Sequence, residues 1–254
     1  MIIRKTNVII GLVCCLSLMI LLTGCFSDKK TDLSSDTKQS QTQERKFVAL
    51  GNSFTTANNL STQMVGDNED YSYATGDEIE SVYRYLLDNG ENLTAVNLAD
   101  SGATSREILD NQVLNVADYH PRYVTILTGG PDIMTEVSES EFEKNLNDIV
   151  KDVKGEDTVI LLATMPNLMR MRTADYPECN QDKLEVGVDK LSEAKLTNFN
   201  DVIKKVAVDN NIILVDLYDV LGPEDVSNYD CLHPNIEGQE KIAAKFIENL
   251  PINQ

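Results

Sequence analysis

Asp230 and His233 stand three residues apart in DCLHPN, a spacing that on a turn or a first helical turn lets the carboxylate reach the imidazole. A carboxylate on one ring nitrogen fixes the tautomer and steadies the imidazolium, which leaves the other nitrogen to act as a base near neutral pH. The group such a base activates best is a hydroxyl, because serine is a poor nucleophile until its proton is taken. Ser53 is the natural third member. It follows Gly51 and Asn52 at the end of an apolar run, where the backbone can turn sharply and present both hydroxyl and amide to one concavity. Gly102, in ADSGATS, follows a second such run, and a residue without a side chain there lets a reacting carbonyl approach a backbone N–H. The second histidine of the chain, His120, precedes an apolar run and so falls at the opposite edge of any sheet that run enters; it reads as a loop residue.

These residues need a scaffold that ends several strands at one edge. Short apolar runs at Phe47–Leu50, Ala95–Leu98, Tyr123–Leu127, Val159–Ala163 and Ile212–Val215 alternate with segments of helical period, the pattern of a parallel sheet covered on both faces. Ile79, Val82, Tyr83, Leu86 and Leu87 predict one helix stopped near Gly90. Ser138 and Glu141 predict a capping box ahead of a helix carrying Phe142, Leu146, Ile149, Val150 and Val153. A third helix carries Phe199, Val202, Ile203 and Val206; a last one, entered through Pro234, carries Ala243, Phe246, Ile247 and Leu250. Together they describe one doubly wound α/β domain, in which sites lie beyond the carboxyl ends of the strands. The long connections 54–76 and 165–191 cross that edge, and their Tyr71, Tyr73, Met169, Met171 and Tyr176 are candidates for lid or specificity residues.

The first residues have a different purpose. Arg4 and Lys5, an uncharged apolar stretch of about 15 residues from Val8 to Leu22, and small residues before Cys25 describe a secretory signal, too short for a comfortable membrane span. Leu22-Thr23-Gly24-Cys25 resembles a bacterial lipobox, which implies cleavage before Cys25 and attachment of a lipid to its sulfur. The expected organisation is a signal peptide at 1–24, a lipid-anchored polar tether at 25–45 and a folded domain at 46–254, held outside the cytoplasm on the cell membrane. Cys14 and Cys15 leave with the signal. Cys179 and Cys231 then remain, and in an oxidising compartment they could pair or stay as buried thiols.

Composition narrows the function. The 254 residues hold 22 Lys and Arg against 41 Asp and Glu, a net charge of -19. Six of the basic and four of the acidic residues precede Lys46, so the folded part carries 16 against 37, a net of -21. A surface this acidic is ill suited to neutralising phosphates, which excludes nucleic acid as a partner. Five scattered cysteines and two histidines without metal-ligand spacing speak against a disulfide scaffold and against a structural zinc site.

FVALGNSFT, NLADSGATS, VTILTGGPDI and DCLHPNIEG, in this order, resemble the four blocks of the GDSL/SGNH hydrolase superfamily. The resemblance spans nearly the whole domain from Phe47 to the last helix. It implies a three-layer α/β/α sandwich with a flavodoxin-like five-stranded parallel sheet, and hydrolysis of acyl esters through an acyl-enzyme with no metal or cofactor. Lipid acyl chains, small esters and acylated glycans are the implied substrates. By position, Ser53 is the implied nucleophile, His233 the base, Asp230 the orienting acid, and the amides of Ser53 and Gly102 the oxyanion donors. Two departures stand out. Asn52 replaces the more usual Asp, and Pro131 stands where the third block, GxND, has an Asn that completes the oxyanion hole. Proline brings neither a side-chain donor nor an N–H. The Gly130 amide, Asn58 or Asn59 could substitute, and a catalytically weak relative that binds an acylated or glycan ligand is the alternative function.

Overall fold

Phe47, Val48, Ala49 and Leu50 have no exposed surface, and neither do Tyr123, Val124 and Ile126. Strands covered on both faces must read as continuous apolar runs, and these two form the centre of a parallel sheet. The computed structural model describes residues 45–171 and 187–253, all within the unit Thr42–Gln254. The expected signal at 1–24, Cys25, the tether up to residue 44, and Tyr176 and Cys179 lie outside the described residues.

Five parallel strands, β1 (Arg45–Gly51), β2 (Leu93–Asn97), β3 (Pro121–Leu127), β4 (Val159–Ala163) and β5 (Ile213–Val215), lie in the order β2-β1-β3-β4-β5. This is the flavodoxin-like arrangement expected from the resemblance, with its reversal of strand order between β1 and β3. Seven helices are described: α1 (Val82–Asp88), α2 (Ser105–Glu107), α3 (Gly130–Met134), α4 (Glu139–Val153), α5 (Leu168–Met171), α6 (Glu193–Asp209) and α7 (Ile236–Glu248). Five of them fall into two packed groups, α1 with α7, and α4 with α6 and α2. The connection from β1 to β2 runs one way along the sheet and those from β2 through β5 run the other, so connections of the usual right hand put α1 on one face and α2, α4 and α6 on the opposite one, which makes the three layers. Stacked rings of Tyr73 and Phe246, 4.9 Å apart, join the connection after β1 to α7, and Phe142 meets Phe199 at 4.8 Å between α4 and α6. Tyr73, a candidate for the substrate edge on sequence grounds, is therefore core.

Helix starts follow side-chain caps. Ser81 accepts from the Arg84 N–H, so α1 begins three residues after Ile79, which stays buried in the loop. Ser138 accepts from the Glu141 N–H, which is one half of the expected box. A reciprocal box forms between Thr104 and Glu107 at the start of α2, where each bonds the other's backbone N–H.

The end of β1 admits no side chain. A Cβ at Gly51 would lie 2.2 Å from Thr55 Oγ1 and 2.7 Å from the Leu127 carbonyl oxygen. Gly51→Ala is expected to destabilise the domain by about 1–3 kcal/mol, read as a lower urea midpoint, because the Leu127 contact is with backbone that cannot swing aside. An unchanged midpoint would mean that the two strand ends are not held this tightly.

Candidate active site

The edge where the strands end assembles the residues picked out above. Asn52 opens a turn after β1: its carbonyl accepts from Thr55 and Thr56 N–H at 2.9 and 3.1 Å, and its side-chain oxygen accepts from Phe54 N–H at 3.2 Å. That role needs a side-chain acceptor two residues back, which Asn supplies as well as Asp. Ser53 lies inside this turn with 7% of its surface exposed, and its carbonyl accepts from Asn58 N–H at 2.9 Å.

His233 and Asp230 approach from the loop before α7, and both are fully buried. His233 Nδ1 lies 2.6 Å from Asp230 Oδ2. Asp230 Oδ1 accepts the backbone N–H groups of Leu232 and His233 at 3.0 and 3.1 Å, so the spacing of three works as a tight turn closed on its own carboxylate. Burial pushes the Asp230 carboxyl up. Hydrogen bonding from the His233 ring and its charge, with the Asn59 amide, outweigh that and hold it below its ordinary value. The two halves of the site touch, because the Phe54 ring, next to Ser53 in sequence, meets the His233 ring edge-on at 5.8 Å. Cys231, inside the Asp230–His233 turn at φ +59°, is disulfide-bonded, the first of the two alternatives left open for it; Cys179, with which it could pair, lies outside the described residues.

Gly102 lies in the loop after β2 at φ +82°, a left-handed backbone that a side chain would strain. That loop is tied to the end of β1, since Asp100 N–H donates to the Gly51 carbonyl at 3.3 Å. It is also tied to the connection after the Ser53 turn. Asp67 accepts from Ser101 Oγ, Thr56 Oγ1 and Asn58 Nδ2 at 2.5, 2.7 and 2.7 Å. Burial raises the Asp67 carboxyl, but these three donors and the charge of His233 bring it below its ordinary value. His120 sits exposed just before β3 at the other edge of the sheet, as its sequence position implied.

Beside Ser53 lies a narrow, partly open cavity, about 430 Å³ when the solvent at its mouth is included. Phe54, Leu127, Pro131, Met134, Met165, Leu168 and Leu232 make its wall predominantly apolar, with Thr128 and Gly130 at the end of β3. Pro131 thus presents a hydrocarbon ring where the resemblance implied an amide. Of the three substitutes weighed for that amide, Asn58 is committed to Asp67 and Asn59 to Asp230, while Gly130 lines the cavity. As the first residue of α3, Gly130 also has an N–H with no acceptor inside the helix. Met165 and Leu168 from the second long connection reach the cavity; Met169 is turned to solvent and Met171 is buried.

The supporting residues were less visible in sequence. Gln112 clasps Gly51, accepting from its N–H at 3.0 Å and donating to its carbonyl at 2.8 Å. Gln239 on α7 donates to the Phe54 carbonyl and accepts from Tyr73 N–H, both at 3.0 Å. Asn200 on α6 does the same for both backbone groups of Met165, at 2.8 and 3.0 Å. Each is a polar residue on an otherwise apolar helical face, and that is the signal by which they could be found. Among the described residues, no group of three His, Cys, Asp or Glu side chains is placed to hold a metal ion.

A sheet ordered 2-1-3-4-5 reverses its order between β1 and β3, and the Ser53 turn and the Asp230–His233 loop meet through Phe54 at the edge where those strands end. Residues 49–241 match the GDSL-like Lipase/Acylhydrolase family, and the chain belongs to it. The fold is shared with a lipase/acylhydrolase from Enterococcus faecalis at 19% identity, covering 80% of this chain and 94% of that one with a TM-score of 0.60. It is shared too with a variant of Axe2, an acetyl xylan esterase from Geobacillus stearothermophilus (18%, 82% and 95%, TM-score 0.58). The psychrotrophic esterase EstA from Pseudoalteromonas sp., in a structure inhibited by monoethylphosphonate, is similar at 16% identity (81% and 96%, TM-score 0.58). No curated protein sequence matches.

Asp132, at the Asp of the third block, is fully buried under Ser105, whose hydroxyl and N–H donate to it at 2.5 and 3.0 Å, and Asn145 donates to that hydroxyl at 3.0 Å. This network joins α2, α3 and α4 and leaves the residue a structural one. Burial, partly offset by the Ser105 donors, pushes the carboxyl up to about 6 from an ordinary 3.8. The native state then binds the proton more tightly than the unfolded chain, so this group's contribution to stability is greatest below pH 4 and falls as pH rises to about 6, by about 3 kcal/mol. Urea unfolding from pH 4 to 7 is expected to show a flatter curve for Asp132→Asn than for the wild type. Equal slopes would place that titration on another group.

Proposed function

We propose that the protein is a serine esterase or acylhydrolase acting on carboxylic esters outside the cytoplasm. Ser53 Oγ attacks the ester carbonyl while His233 Nε2 takes its proton, and the backbone amides of Ser53 and Gly102 receive the developing oxyanion. The intermediate collapses as His233 returns the proton to the leaving alcohol, which gives the acyl-enzyme. Water, deprotonated by His233, then releases the acid and restores Ser53. Asp230 holds the imidazole in the tautomer with its proton on Nδ1 and steadies the imidazolium. The observation that carries this reading is the buried 2.6 Å pair of Asp230 and His233, packed on Phe54 beside Ser53.

The apolar cavity beside Ser53 favours an ester with a hydrocarbon acyl group. Each methylene buried there is worth about 0.8 kcal/mol, or roughly fourfold in kcat/KM, until the space is filled. An acylated glycan remains within the proposal, since an acetyl xylan esterase shares the fold. Pro131 favours a second reading, a weakly catalytic protein that binds an acylated or glycan ligand, because loss of one oxyanion donor costs about 10²- to 10³-fold in kcat. The Gly130 amide is the donor we assign in its place.

A fluorophosphonate probe is expected to label the wild type and not Ser53→Ala. Hydrolysis of p-nitrophenyl esters is expected to rise with acyl length from acetate, and to fall by several orders of magnitude in Ser53→Ala and in a folded Asp230→Asn. Absent labelling together with turnover that survives Ser53→Ala would overturn the esterase; absent labelling with no turnover but binding of the acyl ligand would establish the second reading. We propose further that Cys25 carries a lipid that anchors the protein to the membrane. Labelled palmitate should then enter the wild type, and Cys25→Ala should be unlabelled and shed from membranes; a labelled Cys25→Ala would refute the anchor.

A further inference from the structure

Asn59 belongs to the connection after the Ser53 turn, 171 residues from Asp230, yet its Nδ2 donates to Asp230 Oδ2 at 2.9 Å. That oxygen is the one that receives His233 Nδ1. The direction of the amide is set from its other end. Gly66 N–H donates to Asn59 Oδ1 at 2.9 Å, and Asn59 N–H donates to the Gly66 carbonyl at 2.9 Å. Asn68 Nδ2 donates to the same carbonyl at 2.6 Å. Because Gly66 offers a donor, the oxygen of the Asn59 side chain must face it, and the NH₂ must face Asp230. Asn59 also holds φ at +52°, a left-handed conformation that Asn and Asp tolerate better than other residues with side chains.

With Asn59 in place, both oxygens of the Asp230 carboxylate are doubly engaged, Oδ1 by two backbone N–H groups and Oδ2 by Asn59 and His233. A carboxylate with four donors around it cannot rotate about its Cβ–Cγ bond without breaking several of them. We infer that Asn59 is a positioning residue for the Asp230–His233 pair, fixing the plane of the carboxylate so that Oδ2 points at Nδ1. It acts through Asp230, makes its side-chain hydrogen bonds to Asp230 and Gly66 and does not line the cavity, so its effect belongs in kcat and not in KM. The inference rests on the proposed roles of Asp230 and His233 for its kinetic consequence, and on geometry alone for its structural one.

Two substitutions separate positioning from turn building. Asn59→Asp keeps an oxygen for Gly66 N–H and keeps a residue suited to φ +52°, but turns the donor facing Asp230 into a second carboxylate oxygen. Asn59→Ala removes both contacts. In the full chain, Asn59→Ala is expected to lower kcat for p-nitrophenyl esters about 10- to 100-fold with KM within about twofold, as befits a lost hydrogen bond to a charged group, and Asn59→Asp at least as much, because it also sets a second carboxylate against Asp230 Oδ2. Proton NMR supplies a readout that needs no turnover: the low-field resonance of the His233 Nδ1 proton, assigned by its loss in Asp230→Asn, is expected to shift or broaden in both variants. An Asn59→Asp protein with the wild-type rate and resonance would overturn the inference and leave Asn59 a turn former, whatever Asn59→Ala does to folding. A wild type without labelling or turnover, whose resonance still responds to Asn59→Asp, would reject the esterase and uphold the positioning role.

Discussion

A parallel sheet stops abruptly at its carboxyl edge, and the backbone groups just beyond it have no hairpin partner to bond. Buried, each such group costs about 1–3 kcal/mol if left unpaired. Here side-chain amides answer that need. Gln112 closes on Gly51, Asn200 on Met165, and Gln239 on Phe54 and Tyr73, each amide imitating the donor and acceptor of a missing strand. Because each comes from a distant part of the chain, the body of the fold places the loops at this edge, while local side chains such as Asn52 and Asp230 close the turns within them. The close approach of Gly51 to Leu127, the Ser53 turn and the position of Met165 on the cavity wall all depend on this arrangement.

The same constraint explains why the site is divided into dissimilar halves. On one side lie hydrogen-bonded carboxylates: Asp230 under His233 and Asn59, and Asp67 under Thr56, Asn58 and Ser101. On the other lie Leu127, Pro131, Met134 and Met165, which offer nothing to a polar group. Taking the Asp230 charge out of water is costly, and its attraction to the imidazole repays that only with every lone pair used. Complete bonding of Asp230 is thus a condition for having the pair buried at all. Pro131 extends the apolar half up to the strand end, and the Asn side chains that might have compensated are occupied in the polar half.

Much of this was legible in sequence, for physical reasons that vary with the element. Residues 47–50 and 123–127 read as strands because burial on both faces leaves no polar alternation to confuse them with. The helix holding Phe142 to Val153 was visible because one stripe faces the core and Ser138 caps its start. The Asp230–His233 turn was visible because its partners are three residues apart. What was hidden depends on long-range pairing. Nothing near Asn59 indicates that its amide meets a residue 171 positions away, and Asn58 beside it, identical in type, serves Asp67 instead. Ile79 fits the helical period of α1 and yet lies outside it, because Ser81 offers a cap that begins the helix later. Tyr73 looked like a residue of the substrate edge, but its position was decided by Phe246, on the last helix.

The long reach of these contacts gives the molecule a schedule. Phe54 meets Gln239 across 185 residues, and Asn59 meets Asp230 across 171, so the two halves of the site come from opposite ends of the folded chain. A ribosome delivers the serine 180 residues before the histidine, and chain closure over such distances precedes any gain from the contacts it makes. Until α7 has docked, the early half lacks the bonds to Gln239 and Asp230 that tie it in place. Anything that needs both halves therefore waits until the chain has been made past Gln239, and a copy cut before Asp230 holds only one of them.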